Sequence, residues 1–260
     1  ATRCKFKMRK RLKKFLITSF LFFAFTAIIA FLIVQGQLET SYLPARSELL
    51  DHSNVGPSLS VSQKKAVVRS RNSAVRILSI DERNGTLAVS SGTYFKFKEE
   101  YYVLTTSHGV IGGCETIQIE ADGILHNCIS FLKRDTENDY VIILVEEIFG
   151  RKPIRFPRDF TSGKEWSRAL SILNKLIYTG YPNSMGPATL EGTIMSHTSD
   201  EYINMFSYAW SGSSGSGVFN QEGKLVGYIM ALDVGQTEFG VQVLENVLLV
   251  VPVYKVDFSV

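Results

Sequence analysis

From residue 74 onward the chain is broken into short β-type runs separated by turn residues, and this pattern limits its fold more than any other feature. Residues 75–80 alternate loosely, and Asn84-Gly85 is a hairpin-turn signal. Runs at 86–91, 93–97, 101–105, 116–120 and 125–131 come next, and 141–145 is wholly apolar, the mark of a strand buried on both faces. A basic, proline-containing connection at 151–158 leads to a stretch with helical spacing at 166–175. Strands then recur at 176–179, 188–195, 202–208, 218–220, 225–232, 239–243 and 247–253. Many short strands with regularly spaced turns predict an all-β sandwich or barrel architecture. Two barrels, over about 74–150 and 172–260, accommodate them.

The region before residue 74 is organised differently. Residues 3–14 carry eight Lys and Arg, and the first acid is Glu39. Subtracting those eight from the formal net charge of +3 leaves the rest of the chain at −5, so nothing points to nucleic-acid binding by the folded part. Residues 15–34 hold no charge and, as a helix, span about 30 Å, the thickness of a bilayer core. A signal peptide has a shorter apolar stretch and a small-residue cleavage site. The run is therefore read as an uncleaved transmembrane signal-anchor, with a cleaved signal as the alternative. The basic tail at 1–14 predicts a cytoplasmic N-terminus and a periplasmic or otherwise extracytoplasmic location for residues 35–260. Residues 35–73, polar and rich in serine, predict a stalk. Cys114 and Cys128 bracket an expected hairpin and are candidates for a disulfide in an oxidising compartment. No Cys/His spacing matches a zinc site, and no cofactor motif is present.

The richest chemistry lies in Gly212-Ser213-Ser214-Gly215-Ser216-Gly217-Val218. Glycines beside a serine permit a tight turn on which a hydroxyl and nearby backbone N–H groups meet a substrate carbonyl. A Gly/Ser linker would have the same composition. A serine nucleophile also needs a base, and the base an orienting acid. Of the four histidines, His52 falls in the stalk, and His126 and His197 lie beside turns. His108 comes just after the apolar run 101–105, where a strand meets a loop. Asp139 stands directly before the buried strand 141–145, a costly place for a carboxylate unless a histidine N–H pairs with it. His108, Asp139 and Ser214 thus form an ordered trio.

These motifs resemble those of the trypsin-like, chymotrypsin-fold serine peptidases, and in particular compact bacterial and viral members such as HtrA/Deg protease domains and glutamyl endopeptidases. Val103-Leu104-Thr105-Thr106-Ser107-His108 is similar to the family's histidine block, and Asp139-Tyr140-Val141-Ile142-Ile143-Leu144 to its aspartate block. Gly212 to Val218, with the hairpin through Gly227, is similar to its serine block, and Gly180-Tyr181-Pro182 to a turn common in the group. Three residues depart from the pattern. Ser107 stands for the usual Ala, Ser213 for Asp or Asn, and Ser216 for a frequent Gly. Ser213 has no charge for the buried ion pair of zymogen-activated members.

The resemblance implies two six-stranded antiparallel β-barrels and a peptidase acting on a protein or peptide substrate without cofactor or metal. Ser214 would be the nucleophile, His108 the base and Asp139 its orienting acid. The N–H groups of Gly212 and Ser214 would form the oxyanion hole. Tyr208, Ala209, Trp210, Tyr228 and Met230 would line the substrate pocket. Tyr208 occupies the position that is acidic in enzymes cleaving after Lys or Arg, and no histidine follows Ser214 as in glutamate-specific members, so the expectation is a small or medium apolar residue before the scissile bond. The alternatives are a catalytically silent binding or scaffold module of the same fold, tethered to a membrane, and an esterase built on that fold.

Overall fold

The computed structural model describes residues 58–83, 85–155, 170–237 and 240–258, with isolated positions at 19, 25, 26 and 56. The basic tail, the apolar run 15–34, most of the expected stalk, Asn84 and residues 166–169 of the expected helix lie outside the described residues. Among the described residues, no helix is long and apolar enough to cross a membrane.

The sequence predicts a polar stalk as far as residue 73, but Val61–Ser73 forms a helix, α1. A capping box starts it: the Ser60 hydroxyl accepts from the Gln63 N–H while the Gln63 side chain returns to the Ser60 N–H. Its buried face is Ala66, Val67, Ser70, Asn72 and Ser73, too small and polar to register as an apolar stripe. Polar bonds dock it instead. Ser70 donates to Thr179 at 2.8 Å, Arg69 to the Gly223 carbonyl at 2.9 Å, and Arg71 to Thr189 at 3.0 Å.

The next eight strands make one sheet: β1 (Ala74–Asp81), β2 (Thr86–Phe97), β3 (Glu100–Thr106), β4 (Ile117–Ala121), β5 (Ile124–Asn127), β6 (Ser130–Asp135), β7 (Tyr140–Val145) and β8 (Ile154–Arg155). Their order is β5-β4-β1-β2-β3-β7-β6, with β8 parallel to β2. The expected six-stranded barrel is thus replaced by a barrel-like sheet whose ladder does not close. Its two end strands, β5 and β6, are consecutive in the chain, separated only by Cys128 and Ile129. Cys128 is bonded to Cys114, in the 3-10 turn just before β4, with Cα atoms 5.3 Å apart.

The second half closes. β9 (Lys175–Gly180), β10 (Ala188–His197), β11 (Ile203–Phe206), β12 (Gly217–Asn220), β13 (Leu225–Thr237) and β14 (Gly240–Pro252) form a barrel in the order β10-β11-β14-β13-β12-β9. The helix expected at 166–175 has no described counterpart: residues 170–174 are turn and coil, and Lys175 opens β9. Both halves fall in one unit, Leu43–Val260.

Each half has its own apolar core, and a third cluster lies between them. Strands β3 and β7 serve two of these layers. Val103, Val141 and Ile143 face the first core, while Tyr102, Leu104, Tyr140 and Ile142 pack with Phe219, Leu225 and Tyr228 of the second half. Such two-sided burial is why residues 141–145 are apolar without interruption. It also fixes β3 and β7 rigidly, and the candidate site grows from their ends.

Candidate active site

Strands β3 and β7 pair antiparallel, with Thr106 opposite Tyr140. The end of one and the start of the other are therefore neighbours, which brings His108 and Asp139 together although 31 residues separate them. His108 Nδ1 lies 2.6 Å from Asp139 Oδ2, and the His108 N–H donates to Asp139 Oδ1 at 2.9 Å. One carboxylate thus holds both ring and backbone of the histidine. The Ser107 N–H donates to the Asp139 carbonyl at 3.1 Å. Asp139 adopts φ 53°, a left-handed conformation that Asp tolerates better than most residues. The imidazole is half exposed and the carboxylate largely covered. With Nδ1 committed to the acid, the other ring nitrogen is left for chemistry.

Three residues brace this pair: Arg134 and Tyr202, which sequence reasoning did not single out, and Tyr228, which it placed in the substrate pocket. Arg134 donates to Ser107 Oγ at 3.0 Å and to the Ser107 carbonyl at 3.1 Å. The Tyr228 hydroxyl donates to the Asn138 carbonyl beside Asp139, and Tyr202 to the Asn138 side chain at 3.3 Å. Burial first, and then the Asp139 charge, push the Tyr228 phenol well above its ordinary range, so it remains a donor. Tyr228 is expected in the substrate pocket, but it is fully buried between the barrels.

Ser214 sits on the turn leading into β12. Gly212 and Gly215 carry φ of 94° and 87°, and a Cβ on either would fall 2.6 Å from the Tyr181 carbonyl oxygen or 2.0 Å from that of Ser91. Only glycine fits either place. The Ser213 N–H is bonded to the Trp210 carbonyl at 2.9 Å. Among the described residues, the N–H groups of Gly212 and Ser214 on either side donate to no protein acceptor. Two uncommitted N–H groups on the turn that carries Ser214 are what a developing oxyanion requires.

The segment joining β9 to β10 passes under this turn. The Asn183 N–H donates to the Ser211 carbonyl at 2.6 Å, and the Tyr181 N–H to Ser91 Oγ at 2.9 Å. Arg76, fully buried, donates to the Met185 carbonyl at 2.7 Å and lies over the Tyr181 ring at 4.8 Å. Its charge is shared with Glu120, and Arg151 pairs with Asp122 at 3.0 Å nearby. Burial pushes the Tyr181 phenol up to about 12 and raises the Glu120 carboxyl as well.

His108, Gly212 and Ser214 line one cleft of about 360 Å³, with Leu87, Val89 and Asn183. Among the described residues no hydrogen bond joins the His108 and Ser214 side chains, a contact that in free enzymes often tightens only with substrate. The five expected pocket residues do not line this cleft. Ala209 is buried in the second core, Met230 packs against the layer between the halves, and Tyr208 and Trp210 stack on each other with ring centroids 6.1 Å apart. His197 bonds the Leu170 carbonyl, away from the site. Among the described residues no cluster of three His, Cys, Asp or Glu has the arrangement to hold a metal ion.

Comparison with known proteins agrees with this architecture. The crystal structure of the serine endoprotease from Yersinia pestis is similar in fold, with a TM-score of 0.57 and 19% identity over 75% of this chain. The present chain spans 64% of that protein's length. No curated protein sequence matches. A family model described as the trypsin-like peptidase domain matches residues 89–227, just over half of the chain and the whole stretch from β2 through the serine turn to β13. The chain belongs to the trypsin-like peptidases.

Proposed function

We propose that this chain is a membrane-anchored serine endopeptidase that hydrolyses peptide bonds through an acyl-enzyme. Ser214 Oγ attacks the scissile carbonyl and forms the new C–O bond. His108 takes the serine proton and returns it to the departing amine, and Asp139 orients the ring and stabilises the imidazolium. The oxyanion is received by the Gly212 and Ser214 N–H groups, where one donor lowers the barrier by about 2.7–4 kcal/mol. Water then repeats the attack, with His108 again as base, and releases the acid.

One observation carries the reading: a carboxylate-held histidine and a serine on a turn with two uncommitted N–H groups open onto the same cleft. Residues 74–260 form the peptidase unit in this proposal. Residues 15–34 anchor it, with 1–14 in the cytoplasm and the cleft on the far side of the membrane. The substrate residue before the scissile bond is small or medium and apolar, a reading supported by Leu87 and Val89 on the cleft wall and by the lack of Asp, Glu, Lys or Arg among its described lining residues. A peptide-library profile dominated by Arg, Lys or Glu at that position sinks this preference.

Labelling with a fluorophosphonate probe tests the chemistry. Wild-type protein should label and Ser214→Ala should not, with turnover falling roughly 10⁶-fold in the variant. A well-folded wild type that resists the probe overturns the proposal in favour of a tethered binding module.

A further inference from the structure

Ser91 lies in the middle of β2 and has no solvent exposure. In the sequence it is an ordinary strand serine, yet its backbone N–H and its side chain are both spent on the serine turn of the opposite barrel. Its N–H donates to the Ser214 carbonyl at 2.8 Å, and its hydroxyl donates to the Gly212 carbonyl at 2.6 Å. The same hydroxyl accepts from the Tyr181 N–H at 2.9 Å, and its carbonyl accepts from Thr105 Oγ1 at 2.7 Å.

Four consecutive carbonyls of the turn are held in this way. Ser211 is held by the Asn183 N–H at 2.6 Å, and Gly212 by the Ser91 hydroxyl. Ser213 is held by the N–H and hydroxyl of Ser216 at 3.1 and 2.7 Å, and Ser214 by the Ser91 N–H. In a trans peptide the C=O and N–H point in opposite directions. Anchoring the Ser211 and Ser213 carbonyls therefore turns the Gly212 and Ser214 N–H groups away from those anchors, toward free space. The intervening Gly212 carbonyl is the hinge of this arrangement, since glycine at φ 94° has the widest freedom to rotate. The Ser91 hydroxyl restrains that hinge. Through Tyr181 it also fixes the start of the segment whose Asn183 restrains Ser211.

We propose that Ser91 is a positioning residue for the oxyanion-binding turn, its hydroxyl holding the turn in the competent arrangement without any ion pair at residue 213. Ser213, with no charge to offer, bonds instead to the Trp210 N–H at 3.3 Å. The turn is accordingly braced by hydrogen bonds alone, with no charged group required at residue 213. This inference rests on the proposed Ser214 chemistry.

The test compares Ser91→Ala and the size-matched Ser91→Cys with wild type and Ser214→Ala, all in the full chain. Active sites are counted by fluorophosphonate labelling, so that turnover is expressed per competent site. Loss of one oxyanion donor costs roughly 10²–10³ in kcat. A misaligned turn retaining both donors should cost Ser91→Ala about 10–100-fold in kcat per labelled site, with KM within about threefold. Ser91→Cys should fall between the two. A peptide boronate, which mimics the tetrahedral state, should weaken by the same factor as kcat/KM, whereas a product peptide should bind unchanged. A purely structural role would instead lower the number of labelled sites and leave kcat per site untouched; that result, or an unchanged boronate affinity, overturns the inference. Activity persisting in Ser214→Ala would mark failure of the underlying reading instead.

Discussion

The two halves of the molecule contribute to the site by different means. His108 and Asp139 come from adjacent ends of paired strands in one sheet and are held to each other by two direct hydrogen bonds. The Ser214 turn belongs to the other barrel, and the hydroxyl and N–H that fix two of its carbonyls come from Ser91 across the interface. The first half is a self-sufficient pair; the second is a turn whose geometry depends on its neighbour. Closure shows a parallel contrast. The second half closes through strand pairing alone, whereas the end strands of the first are joined through the chain itself, with the Cys114–Cys128 bridge pinning that junction to the turn before β4.

Asp139→Asn should break the self-sufficient pair most severely. The amide favours the wrong histidine tautomer, so on the proposed mechanism kcat should drop about 10⁴-fold with little change in fold. A loss below tenfold in steady-state kinetics would mean that the pair does not act as base and orienter. The next largest effect concerns closure. Cys114→Ser, or reduction of the bridge, should cost about 3 kcal/mol, the amount expected for a loop of about 15 residues. Denaturant unfolding with and without reductant measures it; coincident midpoints would show that the bridge adds no stability to the first half.

The smallest effect should be seen at His126, on β5 beside the same seam. Burial holds its imidazole below the usual 6.5. The folded state therefore binds fewer protons than the unfolded one between that lowered value and about 6.5, and stability falls as the pH drops through this window. His126→Asn should flatten that slope in pH-dependent melting, and an unaltered slope would assign the acid sensitivity to other groups.

Much of the first half was legible in the sequence because its signals are local. A histidine just beyond the end of an apolar strand, and an acid entering a strand apolar on both faces, are visible within a few residues. The supports of the serine turn are not, since Ser91, Tyr181 and Asn183 matter only once two barrels meet. The three departures from the family pattern are instructive here. Ser107 accepts from Arg134, Ser216 donates to the Ser213 carbonyl, and Ser213 accepts from Trp210, so each added hydroxyl has a partner that no sequence spacing announces. Helix α1 escaped for a related reason: its docking face is made of small and hydrogen-bonding side chains rather than an apolar stripe. Tyr228 is buried rather than lining the cleft because strand alternation does not say which face of β13 meets the other half.

The docking of α1 also sets a length scale. With Val61 onward held against the second barrel, the proposed anchor and the peptidase unit are joined by roughly 26 residues, which at full extension reach no more than about 90 Å. On the proposed topology the cleft thus works within a shell of that depth above the bilayer. Its natural substrates would be polypeptides that are themselves membrane-bound or pass close to the membrane, and cleavage would be selective by position as well as by sequence.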